Sequence, residues 1–273
     1  MMVEAPETAG SGASPDGAGP LGHELVGTGP LAVIVLNDWM SDTSSWDGAR
    51  AYLDRERFTW AFTDLRGYGR SRHRTGAYTV REAASDVLEV ADSQRWAQFV
   101  VVGHSMSSLV ALHLAQQHGE RVVRAIALTP PPPRGFGADD ARLEQTRALA
   151  FADDAVRLAV SRQRFGARLS PGWAAYKAAR WRATSVPSAV AGYVAMFSRD
   201  GLPDPVGRIH VPVLAVTGEH DFEPMRAAAV TELLTPLCER LTVVPLVESG
   251  HYPMEEVPPL LVAHVERFLS DAP

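Results

Sequence analysis

The residue best placed to act as a nucleophile is Ser105, in the segment Val100-Val101-Val102-Gly103-His104-Ser105-Met106-Ser107-Ser108. A buried-looking run leads into it, and a helical stretch beginning at Met106 leads away. A serine on so tight a strand-to-helix turn is held in a strained backbone conformation with its hydroxyl above the sheet. The new helix aims N–H groups and the positive end of its dipole at developing negative charge. Residues two before and two after the serine must be small, because strand and helix meet there. Gly103 and Ser107 are both small, although glycine is usual at the second position as well. A serine that merely caps a helix is the competing explanation, and the strand and helix on either side argue against it.

Serine alone is a poor nucleophile; it needs a base and a group that orients the base. Two later segments supply them. Gly218-Glu219-His220-Asp221 follows the apolar run Val211–Thr217, and Glu248-Ser249-Gly250-His251-Tyr252-Pro253 follows Leu241–Val247. Ser105, Asp221 and His251 therefore fall at the C-terminal ends of three strands, on the edge where open α/β sheets build their sites. Each alone is a weak signal, and the ordered trio is a strong one. Glu219 and Glu248 read as exposed loop carboxylates, His104 as packing beside the sheet, and His220 as an uncertain neighbour of the acid. His113 and His118, five apart on a helix, do not share a face as metal ligands, and there is no H-E-x-x-H. No metal or cofactor is expected.

These turns need elements to hold them. Leu31–Leu36, Phe58–Thr63, Phe99–Gly103, Val122–Leu128, Val211–Thr217 and Leu241–Val247 read as strands, several of them apolar on consecutive residues, as central parallel strands are. Thr79-Val80-Arg81-Glu82 has the capping-box pattern, and Val80, Ala83, Ala84, Val87, Val90 and Ala91 follow at helical spacing. Met106 to His118 predicts another helix, stopped at Gly119. Alternating strands and helices imply a mostly parallel sheet. The alternation breaks at Pro130–Pro133, and residues 134–205 read as helical throughout. That insert holds 11 basic against 7 acidic residues, a net of +4, whereas the remainder carries −10.

The 273 residues, 46% hydrophobic and 21% charged, describe a chain that buries a sizeable core rather than a disordered or fibrous one. The longest aliphatic run, Leu31–Leu36, is far short of the roughly 20 residues of a membrane helix. No secretory signal is read at the N-terminus, so a cytoplasmic location is expected. Cys238 is the single cysteine, which excludes an internal disulfide. Lys177 is the single lysine, and no Gly-Lys pair of a P-loop exists. A G-x-G-x-x-G dinucleotide fingerprint is also missing. The net charge of −6 argues against nucleic acid and anionic membranes as partners. A small-molecule substrate is expected, with anionic character suggested by the basic insert; the oligomeric state is left open.

Together with Trp39–Trp46 and Asp64-Leu65-Arg66-Gly67-Tyr68-Gly69-Arg70-Ser71, these motifs resemble the α/β-hydrolase superfamily, over about residues 22 to 270. The resemblance implies an α/β fold: a mostly parallel twisted sheet flanked by helices, with a core of 22–133 and 206–273, a helical cap at 134–205 and a flexible tail at 1–21. It implies Ser105 as nucleophile, His251 as general base and acid, and Asp221 as orienting carboxylate. The backbone N–H groups of Met106 and Trp39 are then expected to form the oxyanion hole. Family members commonly have His-Gly where this chain has Asn37-Asp38, so Asp38 is expected to hold substrate or a water. Trp173, Tyr176 and Trp181 are expected as an aromatic wall facing the substrate, with packing inside the cap as the competing role of each. The implied reaction is hydrolysis of an ester or lactone. Three alternatives share the machinery: a cofactor-free haloperoxidase or perhydrolase, a carbon–carbon hydrolase, and a ligand sensor of the strigolactone-receptor kind, whose G-H-S-V-S resembles G-H-S-M-S.

Overall fold

Neighbouring apolar residues in the central strands face opposite sides of one sheet, which is why those strands are apolar throughout. In the strand Leu31–Leu36, Val33 and Val35 join one core cluster while Ile34 and Leu36 join the other. Phe99–His104 repeats the division, with Val100 and Val102 against Val101. Each fully buried Val or Leu contributes roughly 1.5–3 kcal/mol by leaving water.

The computed structural model describes residues 19–165, 168–203 and 207–271. Among them, β1 (His23–Val26), β2 (Leu31–Leu36), β3 (Phe58–Thr63), β4 (Phe99–His104), β5 (Val122–Leu128), β6 (Val213–Gly218) and β7 (Leu241–Leu246) form a seven-stranded sheet in the order β1-β3-β2-β4-β5-β6-β7. All neighbours are parallel except β1, which runs antiparallel to β3 at the edge. The register places Ile34, Val101, Ala125, Val213 and Leu241 in one line across the sheet. The sequence carries no apolar run to announce β1, whose His-Glu-Leu-Val has three half-buried residues and an exposed Leu25. β6 begins two residues later than its apolar run, whose first residues include Pro212.

Helices cover the sheet. The first, α1 (Val80–Ser93), buries the six positions expected at helical spacing. Thr79 caps it by accepting from the Glu82 N–H. The Glu82 carboxylate reaches past Thr79, accepting from the N–H groups of Ala77 and Tyr78, which differs from the reciprocal box. Tyr78 stands at φ 56°, and that left-handed turn carries both N–H groups toward the glutamate. The second, α2 (Met106–Gln117), follows β4 directly.

Between β5 and β6 lie α3 (Asp140–Ala148), α4 (Asp154–Phe165), α5 (Pro171–Thr184), α6 (Pro187–Gly192) and a π-helical turn at Met196–Asp200. The chain then continues through α7 (Ala227–Leu234), the short α8 (Pro253–Glu256) and α9 (Pro258–Ser270). Of the expected tail, residues 1–18 lie outside the described residues. Its last member, Leu21, is fully buried in the core, so the body of the protein begins before residue 22. Among the described residues, no helix is long and apolar enough to cross a membrane.

Candidate active site

The link between β4 and α2 is a single residue, Ser105, at φ 52° and ψ −119°. Few non-glycine residues adopt a positive φ, and here the surroundings enforce it. A Cβ on Gly103 would come within 2.2 Å of the Ser107 carbonyl oxygen, so strand and helix cross too closely for any side chain there. Ser107 is tolerated because its hydroxyl is used: it accepts from the His104 N–H at 2.9 Å and donates to the His104 carbonyl at 3.0 Å. The departure from glycine thus staples the turn. Ser108 adds a bond to the Gly103 carbonyl at 3.1 Å.

The β6 and β7 turns bring in the other two members. His251 Nε2 lies 3.0 Å from Ser105 Oγ, and His251 Nδ1 lies 3.0 Å from each carboxylate oxygen of Asp221. An ionised carboxylate only accepts, so Nδ1 carries the proton and Nε2 presents its lone pair to the serine hydroxyl. Asp221 and His251 are buried, while Ser105 is partly open. Asp221 Oδ1 also accepts from the Phe222 N–H at 2.8 Å, and Arg226 Nε donates to the Asp221 carbonyl, fixing the turn. The three side chains form one continuous chain of hydrogen bonds in which His251 can take the serine proton.

Met106 is the first residue of α2, where backbone N–H groups have no acceptor within the helix. Trp39 lies just after β2 and shares a cavity with Ser105. The preceding turn is built by Asn37, whose side-chain amide donates to the carbonyls of Asp38 and Ser41 and whose oxygen accepts from the Leu65 N–H. Asp64, in the D-L-R-G-Y-G-R-S segment, accepts from the N–H groups of Thr43 and Arg70 and from the Thr43 hydroxyl. That segment braces loops beside the site rather than contributing a reacting group.

A narrow cavity of about 70 Å³ opens on Ser105 between Trp39, Pro131, Phe136, Phe197, Phe222, Met225 and His251. Trp39, Phe136, Phe197 and Phe222 also line a wider chamber of about 870 Å³ beneath α3 and α4, where Arg142, Gln145, Thr146 and Gln163 add polar groups.

None of the four residues expected to touch substrate lines either space. Trp181 is 3% exposed within the core, and Tyr176 is 45% exposed on the outer surface. Trp173 packs edge-on to Tyr252 at 5.7 Å. Asp38 is fully buried, accepting from the Tyr252 hydroxyl at 2.6 Å. The aromatic side chains lining these spaces are Trp39, Phe136 and Phe197, the last two near the two ends of the inserted segment, and Phe222; none of them comes from α5. Phe222 carries a signal in its position after Asp221; Phe136 sits in irregular chain and Phe197 in the short π-helical turn, with no period to announce either.

The fold is that of a hydrolase family. Residues 33–265 match the model of the alpha/beta hydrolase family, and the chain belongs to it. It is 33% identical over 109 residues to a pimeloyl-[acyl-carrier protein] methyl ester esterase of Klebsiella pneumoniae, which covers 40% of each protein. Indeed, the chain spans only 30% to 40% of the length of several curated relatives. Among solved structures it resembles the enol-lactonase of Burkholderia xenovorans LB400, with a TM-score of 0.76 and 25% identity over 91% of this chain and 96% of that one. A bromoperoxidase of Bacillus anthracis superposes with a TM-score of 0.81 at 18% identity, over 92% and 95% of the two chains, a likeness of fold.

Proposed function

We propose that this protein is a serine hydrolase that cleaves carboxylic esters or lactones through an acyl-enzyme on Ser105. The observation that carries the reading is the unbroken Ser105–His251–Asp221 hydrogen-bond chain opening into an apolar cavity. In the first half-reaction Ser105 Oγ attacks the carbonyl carbon while its proton passes to His251 Nε2, and Asp221 stabilises the imidazolium. The N–H groups of Met106 and Trp39 receive the oxyanion. The C–O bond to the leaving alcohol then breaks, with His251 returning the proton to that oxygen. In the second half, water gives a proton to His251 and attacks the acyl carbon, releasing the acid and restoring the serine.

The narrow cavity suits a short acyl group, and the wider chamber suits a larger, more polar leaving group. Arg142 gives that chamber a cationic side chain, and the neighbouring Asp139 uses its carboxylate to cap α3. Anionic substrates should therefore react faster than neutral isosteres, by a margin that shrinks with salt. Likeness to an enol-lactonase supports lactones among the substrates.

The test is a panel of aryl esters, alkyl esters and lactones, run with water or hydrogen peroxide as acyl acceptor. Turnover of an ester or lactone in water by the wild type and not by Ser105→Ala supports the reading. Equal turnover by folded Ser105→Ala, or chemistry seen only with peroxide, overturns it.

A further inference from the structure

Asp38 is the main departure from the family pattern, and nothing in the acyl-transfer scheme uses it. It lies immediately before Trp39, is fully buried, lines neither of the two spaces, and has partners from distant parts of the chain. Its Oδ2 accepts from the Tyr252 hydroxyl at 2.6 Å across 214 residues. Tyr252 directly follows His251. One short buried hydrogen bond therefore joins the turn expected to supply an oxyanion N–H to the turn that carries the general base.

The same tyrosine is held on its other sides. Lys177, on α5 of the cap, places Nζ 3.8 Å from the Tyr252 ring centroid and 2.8 Å from Glu255 Oε1. It is the chain's only lysine, and it is buried. A cation on the ring face is an attractive arrangement when solvent is excluded. Burial pushes the Glu255 carboxyl up, Lys177 pulls it down, and the field of Asp38 adds to the rise. The His104 ring stands edge-on to Tyr252 at 5.1 Å, and its Nε2 donates to the His251 carbonyl at 2.7 Å. Thr129 Oγ1 donates to that carbonyl at 3.3 Å. His104 Nδ1 faces Asp38 Oδ1 at 3.8 Å, a contact of field rather than a hydrogen bond.

We propose that Asp38 is a positioning residue: by fixing the Tyr252 hydroxyl it locks the main chain at His251 in register with the Trp39 turn, so that general base and oxyanion donor hold one alignment. A carboxylate serves where the family's glycine cannot, because it is a strong acceptor that reaches across the gap. Proximity of reacting groups is sensitive to displacements of about 1 Å, which a lost buried strut readily allows. Lys177 extends the strut to the cap, so the docked cap and the catalytic turn share Tyr252.

This inference rests on Ser105 being the nucleophile, and its test separates the two. Ser105 is labelled with a fluorophosphonate, and the saturation kinetics are resolved into a maximal rate and a half-saturation concentration. The proteins are wild type, Tyr252→Phe, Asp38→Leu, Asp38→Asn and the double variant Tyr252→Phe/Asp38→Leu. The single losses of the bond should each lower the maximal rate at least about tenfold, with little change in half-saturation. The double variant should be no slower than the slower single, because both remove one bond. Asp38→Asn, whose amide oxygen still accepts from Tyr252, should recover most of the loss seen with leucine.

Losses that multiply, a loss confined to half-saturation, or asparagine as slow as leucine would overturn the proposal. Tyr252→Phe removes a single oxygen, so it and Asp38→Asn carry the comparison if Asp38→Leu does not fold. The backbone amide resonances of Trp39 and His251 give a second readout that needs no labelling. Both should shift in Tyr252→Phe; an unmoved Trp39 amide contradicts the coupling even if wild-type Ser105 takes no label.

Discussion

The sheet edge and the cap share a buried core but differ in what fixes their alignment: strand register for the one, helix packing and ion pairs for the other. Ser105, Asp221 and His251 project from turns at the ends of β4, β6 and β7, parallel strands fixed in register by their neighbours, β4 and β6 fully buried and β7 half-buried at the side of the sheet. The inserted helices are held on that body by apolar packing, with Trp181, Tyr193 and Met196 in the body's core cluster, and at their rim by ion pairs of Lys177 with Glu255, Arg180 with Asp42 and Arg168 with Glu256. Strand register tolerates no small slip, because one residue turns every side chain to the other face. Ion pairs between long side chains tolerate many arrangements. The rigid edge thus suits bond-making, and the cap suits recognition, which can vary without disturbing the chemistry.

Replacing a member of the edge should have the largest effect. Ser105→Ala and His251→Ala should each reduce ester turnover by about a thousandfold or more, since nucleophile and base act as one unit. Circular dichroism should show both variants folded, and kcat measures the loss.

Behind the edge, burial of His104 pushes its imidazole from the reference of 6.5 down to about 4. The folded state therefore binds this proton less readily than the unfolded chain does. The resulting stability is full above about pH 6.5 and is lost as pH falls toward 4, to the extent of about 3 kcal/mol. Thermal unfolding between pH 7 and pH 4 should show the decline, and His104→Gln, which keeps a donor for the His251 carbonyl, should flatten it.

On the recognition side the changes should be smaller and selective. Phe136→Ala widens both spaces and should shift preference toward longer acyl chains by about tenfold in the ratio of kcat/KM values. Arg142→Ala should reduce any preference for anionic over neutral esters by about threefold at low salt, the scale of an exposed charge. Tyr176→Ala, at an exposed position that lines neither space, should change neither rate nor selectivity; a tenfold loss there would return α5 to the substrate-binding surface.

The same division governs what could be read from the sequence. Apolar runs such as Leu31–Leu36 reveal a strand covered on both faces, and Ser105, Asp221 and His251 are conspicuous because each closes such a run. Gly103 is legible too, since the strand–helix crossing leaves no room for a Cβ. By contrast, Phe136 reaches the cavity from irregular chain and Phe197 from a short π-helical turn, and tertiary packing sets the path of both. The aromatic spacing of α5 points to a face, and that face packs inward at Trp181 and outward at Tyr176. Asp38 stands out in the sequence as an anomaly beside Trp39, but its partner does not, because Tyr252 lies more than 200 residues away and no local pattern links them.

The central claim is a covalent acyl group on Ser105, and the most direct measurement is rapid-quench mass spectrometry during turnover of an aryl acetate. The intact protein should gain one acetyl group, peptide mapping should assign it to Ser105, and the adduct should decay in step with release of acetate. Acetyl found on another residue at the same rate in wild type and Ser105→Ala, or turnover with no adduct under conditions where acylation outpaces deacylation, would contradict it.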